Sequence, residues 1–284
     1  MDDTRKAEIM ETLTAGIQAL TSSDSWTRWL TFQSRFHSYS FLNTLLIQLQ
    51  APAGTTRGAG FNAWRRLGRS VRKGQKGIAI LAPIVRRTRV EDEDGEQHVI
   101  TSSPAAFRIA HVFGDVQTDG CELPEAPVRR LEGDDSNRVF LRLMKVAADL
   151  GFTVEFAEFP DERGGDCTPS LKRIRIRQGM APAHCVKTLA HELGHAVLHD
   201  EACIGSSLRS LMELEAESVA FVVSSAMALD TSDYTFGYIA TWAGGGDEAI
   251  GGIKRAGANI HRAADHILSQ LEVADMAAPG HETA

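Results

Sequence analysis

Two histidines four residues apart constrain the fold of this chain more than any other feature. They are His191 and His195, and they enclose Glu192 in the motif H-E-L-G-H. On an α-helix, residues four apart lie one turn apart on the same face, so both imidazoles can coordinate one ion. Apolar residues around the motif predict a buried helix over about 182–199. The alternative interpretation is a buried helix with two hydrogen-bonded histidines and no metal.

The motif predicts a catalytic zinc site. Zinc lowers the pKa of a bound water towards about 7, and a carboxylate beside the metal can then take the proton. The hydroxide would attack a peptide carbonyl, and Glu192 would pass the proton to the leaving amine. Gly194 has no side chain and leaves room near the metal. We therefore expect a zinc-dependent metallopeptidase with His191 and His195 as ligands and Glu192 as the catalytic base.

The third metal ligand is expected on the next helix. Glu213 and Glu217 are four residues apart and share a face of that helix, whereas Glu215 points elsewhere. Carboxylates in an otherwise apolar helix need a cation or a metal as partner. One of the pair is expected to bind zinc and the other to orient a ligating histidine. The alternative is a solvated acidic first turn of the helix. His199, one turn beyond His195, could be a fourth ligand, but we favour a helix-end histidine near the site.

The remaining pattern predicts an α+β protein of two domains. Helical spacing dominates up to about residue 49, and short strands are expected at 78–83, 84–90, 97–101 and 106–113. Further on, strands are expected at 153–159 and 171–177 around a turn at 163–166, and helices at 136–150, 182–199, 206–229 and 247–272. The domains are placed at 1–120 and 136–275, joined by a linker at 121–135 that is rich in Pro, Gly and acidic residues.

Residues 51–90 are the most charge-biased segment. They contain ten Arg and Lys residues and no Asp or Glu. A positive groove with aromatic platforms for the bases is typical of proteins that bind single-stranded nucleic acid. The segment therefore favours nucleic-acid binding over the alternative of a solvated basic surface. The formal net charge of the whole chain, -7, does not contradict this, since the local field governs binding.

Seven residues are expected to contact single-stranded DNA. Phe61 and Trp64 lie within the basic segment, and Trp64 is the aromatic platform that we select. Tyr39 and Asn43 lie one helical turn apart and can face the same groove. The selected cations are Arg65, Arg69, Lys73 and Lys76.

Composition and cysteine usage favour a cytoplasmic protein without a membrane span. No apolar window approaches the roughly 20 residues that a transmembrane helix needs. The polar start of the chain has no apolar core after a basic region, which argues against a secretory signal. The four cysteines contain no C-x-x-C pair, which argues against a disulfide framework or a structural zinc knuckle.

Residues 182–230 resemble the ImmA/IrrE family of small gluzincin metallopeptidases. In that family the H-E-x-x-H helix is followed by a helix bearing E-x-x-A-N-x-x-A. Here the segment from Glu213 to Ala220 matches, with Glu217 in place of the asparagine. The resemblance implies a minimal gluzincin domain in which Glu213 binds zinc and Glu217 acts on a ligating histidine. Because of the replacement, Glu217 is the alternative ligand.

The N-terminal region resembles the single-stranded-DNA-binding domain of ArdC-type antirestriction proteins. The similar positions include the runs 39–43, 60–61, 67–69, 73–74 and 112–118, together with Trp64. Residues 1–272 as a whole are thus similar to ArdC-like proteins of plasmids, phages and integrated elements. The resemblance implies a helix-plus-small-sheet DNA-binding module joined to the metallopeptidase domain.

These features lead to one leading hypothesis and two alternatives. The leading one is a DNA-associated zinc metalloendopeptidase of a mobile element, which binds single-stranded DNA and hydrolyses a protein partner such as a repressor or a restriction component. The first alternative is an antirestriction protein that protects incoming DNA, with the zinc domain mainly structural or regulatory. The second, implied by the ImmA/IrrE resemblance, is a regulator that cleaves or sequesters a repressor.

Overall fold

Two compact units make up the chain. The computed structural model describes residues 2–85, 87–91, 97–101, 106–123, 135–199, 206–234, 236 and 246–277. The first unit joins Met1–Leu13 to Leu45–Leu123, and the second joins Thr14–Thr44 to Pro124–Ala284. Helices and strands occur in both units, so the prediction of a two-domain α+β protein is confirmed.

The described residues form eight α-helices and ten strands. The helices are α1 (Asp2–Ala19), α2 (Ser23–Gln33), α3 (Phe41–Gln50), α4 (Phe61–Arg66), α5 (Asp135–Asp149), α6 (Pro182–Leu198), α7 (Ser206–Ala226) and α8 (Gly246–Ala277). The strands are β1 (Gly58–Gly60), β2 (Arg69–Val71), β3 (Ile78–Ile84), β4 (Arg87–Glu91), β5 (Gln97–Thr101), β6 (Ala106–Gly114), β7 (Thr118–Gly120), β8 (Thr153–Ala157), β9 (Gly165–Thr168) and β10 (Arg173–Arg177). In this part of the chain, no helix combines the length and the apolar character that crossing a bilayer requires.

The first unit is built around a three-stranded antiparallel sheet in the order β1-β6-β3. Residues opposite each other on paired strands have side chains on the same face of the sheet. Ile78 of β3 pairs with Val112 of β6, and both side chains are buried. This face of the sheet therefore covers the core of the unit. Two further antiparallel ladders pair β2 with β7 and β4 with β5.

The second unit contains a three-stranded sheet in the order β8-β10-β9. β8 runs parallel to β10, and β9 runs antiparallel to it. Ile174 and Ile176 of β10 are fully buried, and the three arginines that alternate with them are half-buried. This is the period-two pattern expected of a strand with one buried face. Helix α6 packs on β9 and β10 and also against α7.

Strand β9 begins at Gly165, inside the segment 163–166 for which the sequence predicts a turn. Its pairing depends on the close approach of Gly165 to β10, since a Cβ on Gly165 would lie 2.7 Å from the carbonyl oxygen of Arg175. The side chains of Asp166 and Arg175 form an ion pair across the two strands, with Oδ2 and Nη2 2.5 Å apart. Glycines and a short polar sequence hid this strand, because strand patterns are recognised by apolar alternation.

Helix α2 belongs to the second unit, although the sequence analysis places residues 1–120 in one domain. Trp26 and Trp29 of α2 are fully buried. The indole N–H of Trp26 donates a hydrogen bond to Oγ of Ser218 on α7, at 3.1 Å. The packing of α2 therefore departs from the predicted domain boundary, because its apolar face completes the core beneath α7.

The predicted linker at 121–135 lies mostly outside the described residues. Residues 121–123 end the described part of the first unit, and α5 begins at Asp135 in the second. The prediction that residues 124–134 form a linker therefore stays a prediction.

Candidate functional site

Helix α6 carries the H-E-L-G-H motif and has a buried apolar face. Val186, Leu189 and Leu193 are fully buried, which fixes the rotation of the helix about its axis. A Cβ on Gly194 would lie 3.0 Å from the Cα of Ala216. The sequence predicts that Gly194 leaves room near a metal. In the structure it leaves room for the backbone of α7 instead, and so lets the two helices approach closely.

His191, His195 and Glu213 converge on one point. The two Nε2 atoms are 3.1 Å apart, and Oε2 of Glu213 lies 3.4 Å from Nε2 of His191 and 3.6 Å from Nε2 of His195. With metal–ligand distances of about 2.0–2.1 Å, neighbouring ligand atoms of a tetrahedral zinc site lie about 3.3 Å apart. The three separations match that value, so these residues fit a single divalent ion.

Glu217 approaches His191 from the side opposite Glu213. Its Oε2 lies 2.9 Å from Nδ1 of His191, whereas Glu213 faces Nε2 of the same ring. A carboxylate on the remote nitrogen of a ligating histidine fixes the tautomer and orientation of the ring. The geometry therefore matches the role of ligand for Glu213 and the role of orienting group for Glu217.

His199 does not join the three converging groups. It follows α6 directly, and its Nδ1 lies 2.9 Å from Nδ1 of His195, the nitrogen remote from Glu213. Its Nε2 lies 2.9 Å from Oε2 of Glu215, which is buried and does point away from the three converging groups. The role of Glu215 as a partner of His199 is not predicted from the sequence. The available signal was the repeat of histidines at 191, 195 and 199, which places all three along one face of the helix.

Glu192 is the buried carboxylate of the site. Its exposed fraction is 6%. A Cβ on Gly165 would lie 3.2 Å from Oε1 of Glu192, so this carboxylate lies against strand β9. Burial raises the pKa of Glu192 to about 7, although the neighbouring His191 opposes the shift. A carboxyl group with such a pKa can both accept and release a proton near neutrality.

The electrostatics of the cluster formed by His191, His195, Glu213 and Glu217 favour the binding of a cation. Burial opposes protonation of His191, but its hydrogen bonds to Glu213 and Glu217 outweigh burial and raise its pKa to about 10. The same contacts to His191 and His195 hold the pKa of Glu213 well below its usual range. Burial lowers the pKa of His195. Two carboxylates and two imidazoles thus form a site that attracts cations.

A cavity of about 1340 Å³ opens over the three converging groups. Its lining includes the whole of strand β9 and Glu192. Among the residues that the structure describes, β9 pairs with β10 alone, so it is an edge strand that borders the cavity. The cavity therefore brings together a candidate metal centre, a buried carboxylate and a strand edge.

Lys187 and Tyr234 also line the cavity and were missed by the sequence analysis. Nζ of Lys187 lies 2.8 Å from Oδ2 of Asp233 and 5.4 Å from the ring centroid of Tyr234. Burial raises the pKa of the Tyr234 hydroxyl well above its usual range, so it stays protonated as a hydrogen-bond donor. Lys187 lies one turn before the motif on α6, a spacing that could have suggested it.

The structure contradicts the selection of Trp64 as a base-stacking platform. Trp64 is 1% exposed, and its indole N–H donates to the carbonyl of Phe113 at 2.9 Å. A base can stack on an aromatic ring only if at least one face of the ring is accessible. The exposed aromatic of α4 is Phe61, which is 48% exposed and meets the Phe113 ring edge-on at 6.4 Å.

Arg69 holds the first unit together rather than projecting freely. Its Nε donates to Oγ1 of Thr118 and its Nη2 to the carbonyl of Thr118, both at 2.8 Å. Its Nη1 donates to the carbonyl of Cys121. The neighbouring Arg72 likewise donates to the carbonyl of Val116. The guanidinium of Arg69 is therefore committed to β7 and its continuation, which argues against the predicted DNA contact.

Arg65, Lys73 and Lys76 have the accessibility that a phosphate contact requires. All three side chains are exposed. Within the described residues, no side-chain hydrogen bond or ion pair is found for any of them. Unpaired surface cations are the groups that neutralise phosphates. Their role as DNA contacts stays a prediction.

Tyr39 and Asn43 lie in the second unit, whereas the basic segment lies in the first. Both side chains are half-buried. The Tyr39 ring lies 6.2 Å from that of Phe36, and burial raises the pKa of its hydroxyl. That these two residues share a groove with the cations stays a prediction.

Two family models match the chain. Residues 3–113 match the N-terminal domain of the anti-restriction factor ArdC, and residues 147–235 match the IrrE N-terminal-like domain of a peptidase family. The second match contains α6 and α7 with all the converging groups. A search of curated proteins found no match.

Two crystal structures of the antirestriction ArdC protein from the R388 plasmid are similar to this chain. The metal-free structure is 22% identical, with a TM-score of 0.46, and the alignment covers 83% of this chain and 86% of that one. The Mn(II)-bound structure is 20% identical, with a TM-score of 0.50 and coverage of 93% and 97%. With a match to the ArdC N-terminal domain followed by a match to an IrrE-like domain, the chain is similar to ArdC-like antirestriction proteins in both of its domains.

Proposed function

We propose that this chain is a zinc-dependent metallopeptidase that also binds single-stranded DNA and hydrolyses a protein partner. One observation carries the proposal: the nitrogens of His191 and His195 and a carboxylate oxygen of Glu213 lie within 4.8 Å of one another, beside the buried Glu192. Three protein ligands with an open fourth position are typical of catalytic zinc. Structural zinc sites are instead closed by four protein ligands.

The donor set suits zinc among the divalent ions. Two imidazoles and one carboxylate are common ligands of catalytic zinc, whereas magnesium and calcium prefer oxygen ligands. The Mn(II) bound to the ArdC protein from R388 supports a divalent metal in this fold. A bound zinc ion supplies Lewis acidity, which polarises a carbonyl oxygen and lowers the pKa of water to about 7.

Glu192 is the proton carrier of the proposed reaction. Its carboxylate accepts the proton of the water that attacks the scissile carbonyl carbon. It then delivers this proton to the amide nitrogen as the C–N bond breaks, which leaves a carboxylic acid and a free amine. Its burial suits both steps, because a pKa near 7 balances accepting against donating a proton.

Strand β9 supports a peptide as the substrate. An extended peptide can add to an exposed sheet edge through backbone hydrogen bonds. Gly165 of this edge lies against Glu192, so a peptide paired with β9 passes close to the carboxylate. The side chain of Lys187 and the hydroxyl of Tyr234 border the same cavity and are donors for a substrate carbonyl.

The test replaces Glu192 with Gln, which keeps the shape of the side chain and removes its basicity. We expect the variant to retain zinc, measured by elemental analysis, and to lose cleavage of partner proteins trapped by crosslinking. His191→Ala is the matched variant that is expected to lose both. Cleavage at the wild-type rate by Glu192→Gln would rule out this mechanism.

The exposed cations of the first unit support binding of single-stranded DNA. Such binding is electrostatic and falls with salt, with a slope of about -0.7 per phosphate contacted. We expect a fluorescent single-stranded oligonucleotide to bind at low salt and to dissociate as salt rises. Binding that does not change with salt would contradict a phosphate-dominated interface.

A second candidate function is protection of incoming DNA against restriction. The match of residues 3–113 to the N-terminal domain of an anti-restriction factor favours it. In this case the zinc domain is structural or regulatory. Full protection of transferred DNA by a His191→Ala variant would favour this function, and loss of protection would favour the peptidase.

A further inference from the structure

The second ligating histidine is held by a chain of three further residues. Nδ1 of His195 lies 2.9 Å from Nδ1 of His199, and Nε2 of His199 lies 2.9 Å from Oε2 of Glu215. The other oxygen of Glu215 accepts a hydrogen bond from Nδ2 of Asn259 on α8, also at 2.9 Å. The chain thus runs from α6 through α7 to α8.

The middle of this chain is buried. The side chains of His199 and Glu215 are 6% and 5% exposed. A carboxylate shielded from water is costly unless hydrogen bonds satisfy its oxygens. Each oxygen of Glu215 has one such partner, His199 on one side and Asn259 on the other. Glu215 therefore has a fixed position and a fixed set of donors.

The direction of every hydrogen bond follows from metal binding at His195. If Nε2 of His195 binds an ion, Nδ1 of its neutral ring carries the proton and donates to Nδ1 of His199. His199 then carries its proton on Nε2 and donates to the carboxylate of Glu215. The orientation of Asn259 agrees, because its Oδ1 accepts from Nη2 of Arg262 at 3.0 Å. This leaves the amide nitrogen facing Glu215.

We propose that His199, Glu215 and Asn259 are positioning residues that fix the tautomer and ring orientation of His195 for metal binding. The proposal rests on the metal-binding part of the proposed function. It gives the two ligating histidines different supports. His191 is held directly by Glu217, whereas His195 is held by the Glu215 carboxylate through an intervening imidazole.

The proposal extends the metal centre beyond the region that matches the IrrE-like domain. That match ends at residue 235, whereas Asn259 lies on α8. Helix α8 packs against both α6 and α7. The C-terminal helix therefore contributes to the metal centre through Asn259, although it carries no metal ligand among the described residues.

The experiment measures the affinity of the full chain for Zn²⁺ and Mn²⁺ by competition with a chromophoric chelator. Glu215→Gln and His199→Phe are each expected to raise the metal Kd about 10- to 100-fold, the usual cost of removing an outer-shell partner. The double variant is expected to have the same metal Kd as the single variant with the higher Kd, since both residues act on His195 through the same chain of hydrogen bonds. Two independent structural defects would instead add.

Ser218→Ala is the matched control. It removes a buried hydrogen bond from the same helix, the one donated by Trp26, but lies outside the chain of residues that reaches His195. It is expected to lower the melting temperature of the metal-free protein and leave the metal Kd unchanged. Circular dichroism of each metal-free variant verifies that it is folded.

Asn259→Ala keeps the test decisive if either buried replacement prevents folding, because Asn259 is half-exposed. A metal Kd within about twofold of wild type in this variant and in every other folded variant would overturn the proposal. A wild-type chain that binds neither ion would instead remove the proposed function itself. The two failures are therefore distinguishable.

Discussion

The candidate metal centre and the basic segment differ in how directly sequence spacing determines geometry. At the metal centre, the functional side chains lie on two long helices, and the i,i+4 spacing alone brings His191 beside His195 and Glu213 near Glu217. In the basic segment, the candidate side chains lie on a six-residue helix, a three-residue strand, and the turn and loop that follow this strand. There the composition indicates a charge but does not indicate which side chains are free.

The difference is clearest for two side chains of the basic segment. The sequence predicts that Trp64 stacks on a base and that Arg69 binds a phosphate. In the structure Trp64 is buried, and Arg69 donates hydrogen bonds to β7. Both are long side chains that satisfy the backbone of their own unit. Short elements leave many carbonyls without partners in a ladder, and arginine and tryptophan donors can fill that need. A basic composition therefore overestimates the number of available cations.

The prediction with the largest expected effect concerns whether the folding of the candidate metal centre depends on residues far away in sequence. A fragment of residues 136–275 lacks α2, whose Trp26 and Trp29 are fully buried in the second unit. We expect this fragment not to unfold cooperatively, because the α7 surface beneath α2 becomes exposed. The measurement is thermal unfolding followed by circular dichroism.

Trp26→Ala in the full chain is the matched single substitution. It should cost about 3–5 kcal/mol of stability, the range for truncating a buried tryptophan. A fragment of residues 136–275 that melts as sharply as the full chain would show that the metal centre is independent of α2.

The next prediction separates a ligand from an orienting group. Glu213→Gln is expected to abolish stoichiometric retention of zinc after dialysis, because it removes one of three ligands. Glu217→Gln is expected to retain zinc with an affinity about 10- to 100-fold lower. Elemental analysis and chelator competition measure the two effects. The reverse order would make Glu217 the ligand and would contradict the geometry at Nδ1 of His191.

The third prediction concerns the two aromatic residues of α4. Trp64→Ala should lower the free energy of unfolding by about 3–5 kcal/mol, because it leaves a cavity in the first unit. Phe61→Ala should change stability by less than about 0.5 kcal/mol, since the ring is exposed. If Phe61 stacks on a base, its loss should weaken binding of single-stranded DNA by about 1–3 kcal/mol. Denaturant unfolding and fluorescence anisotropy distinguish these effects.

The same contrast explains what the sequence could predict. The helices α5 to α8, the strand at β10, the pairing of His191 with His195 and the shared face of Glu213 and Glu217 follow from periodicity, which depends only on neighbours along the chain. The choice of Glu213 over Glu217 rests on the family resemblance. Strand β9, the packing of α2 and the chain from His195 to Asn259 depend on contacts between segments distant in sequence. The structural roles of Gly165 and Trp26 are set by their contacts with β10 and α7, which lie far away in sequence or cannot be recognised from local periodicity.

The smallest expected effect concerns the individual cations. Lys73→Ala should leave stability unchanged and reduce the slope of log affinity against log salt by about 0.7 if Lys73 contacts one phosphate. Arg69→Ala should instead lower the stability of the first unit, because three of its donors serve Thr118 and Cys121. At salt and temperature where both variants are folded, Arg69→Ala should retain the wild-type slope. A lower salt slope with unchanged stability in Arg69→Ala would show that Arg69 contacts DNA. The composition of the basic segment would then predict its DNA contacts as well as the spacing of the histidines and glutamates predicts the candidate metal centre.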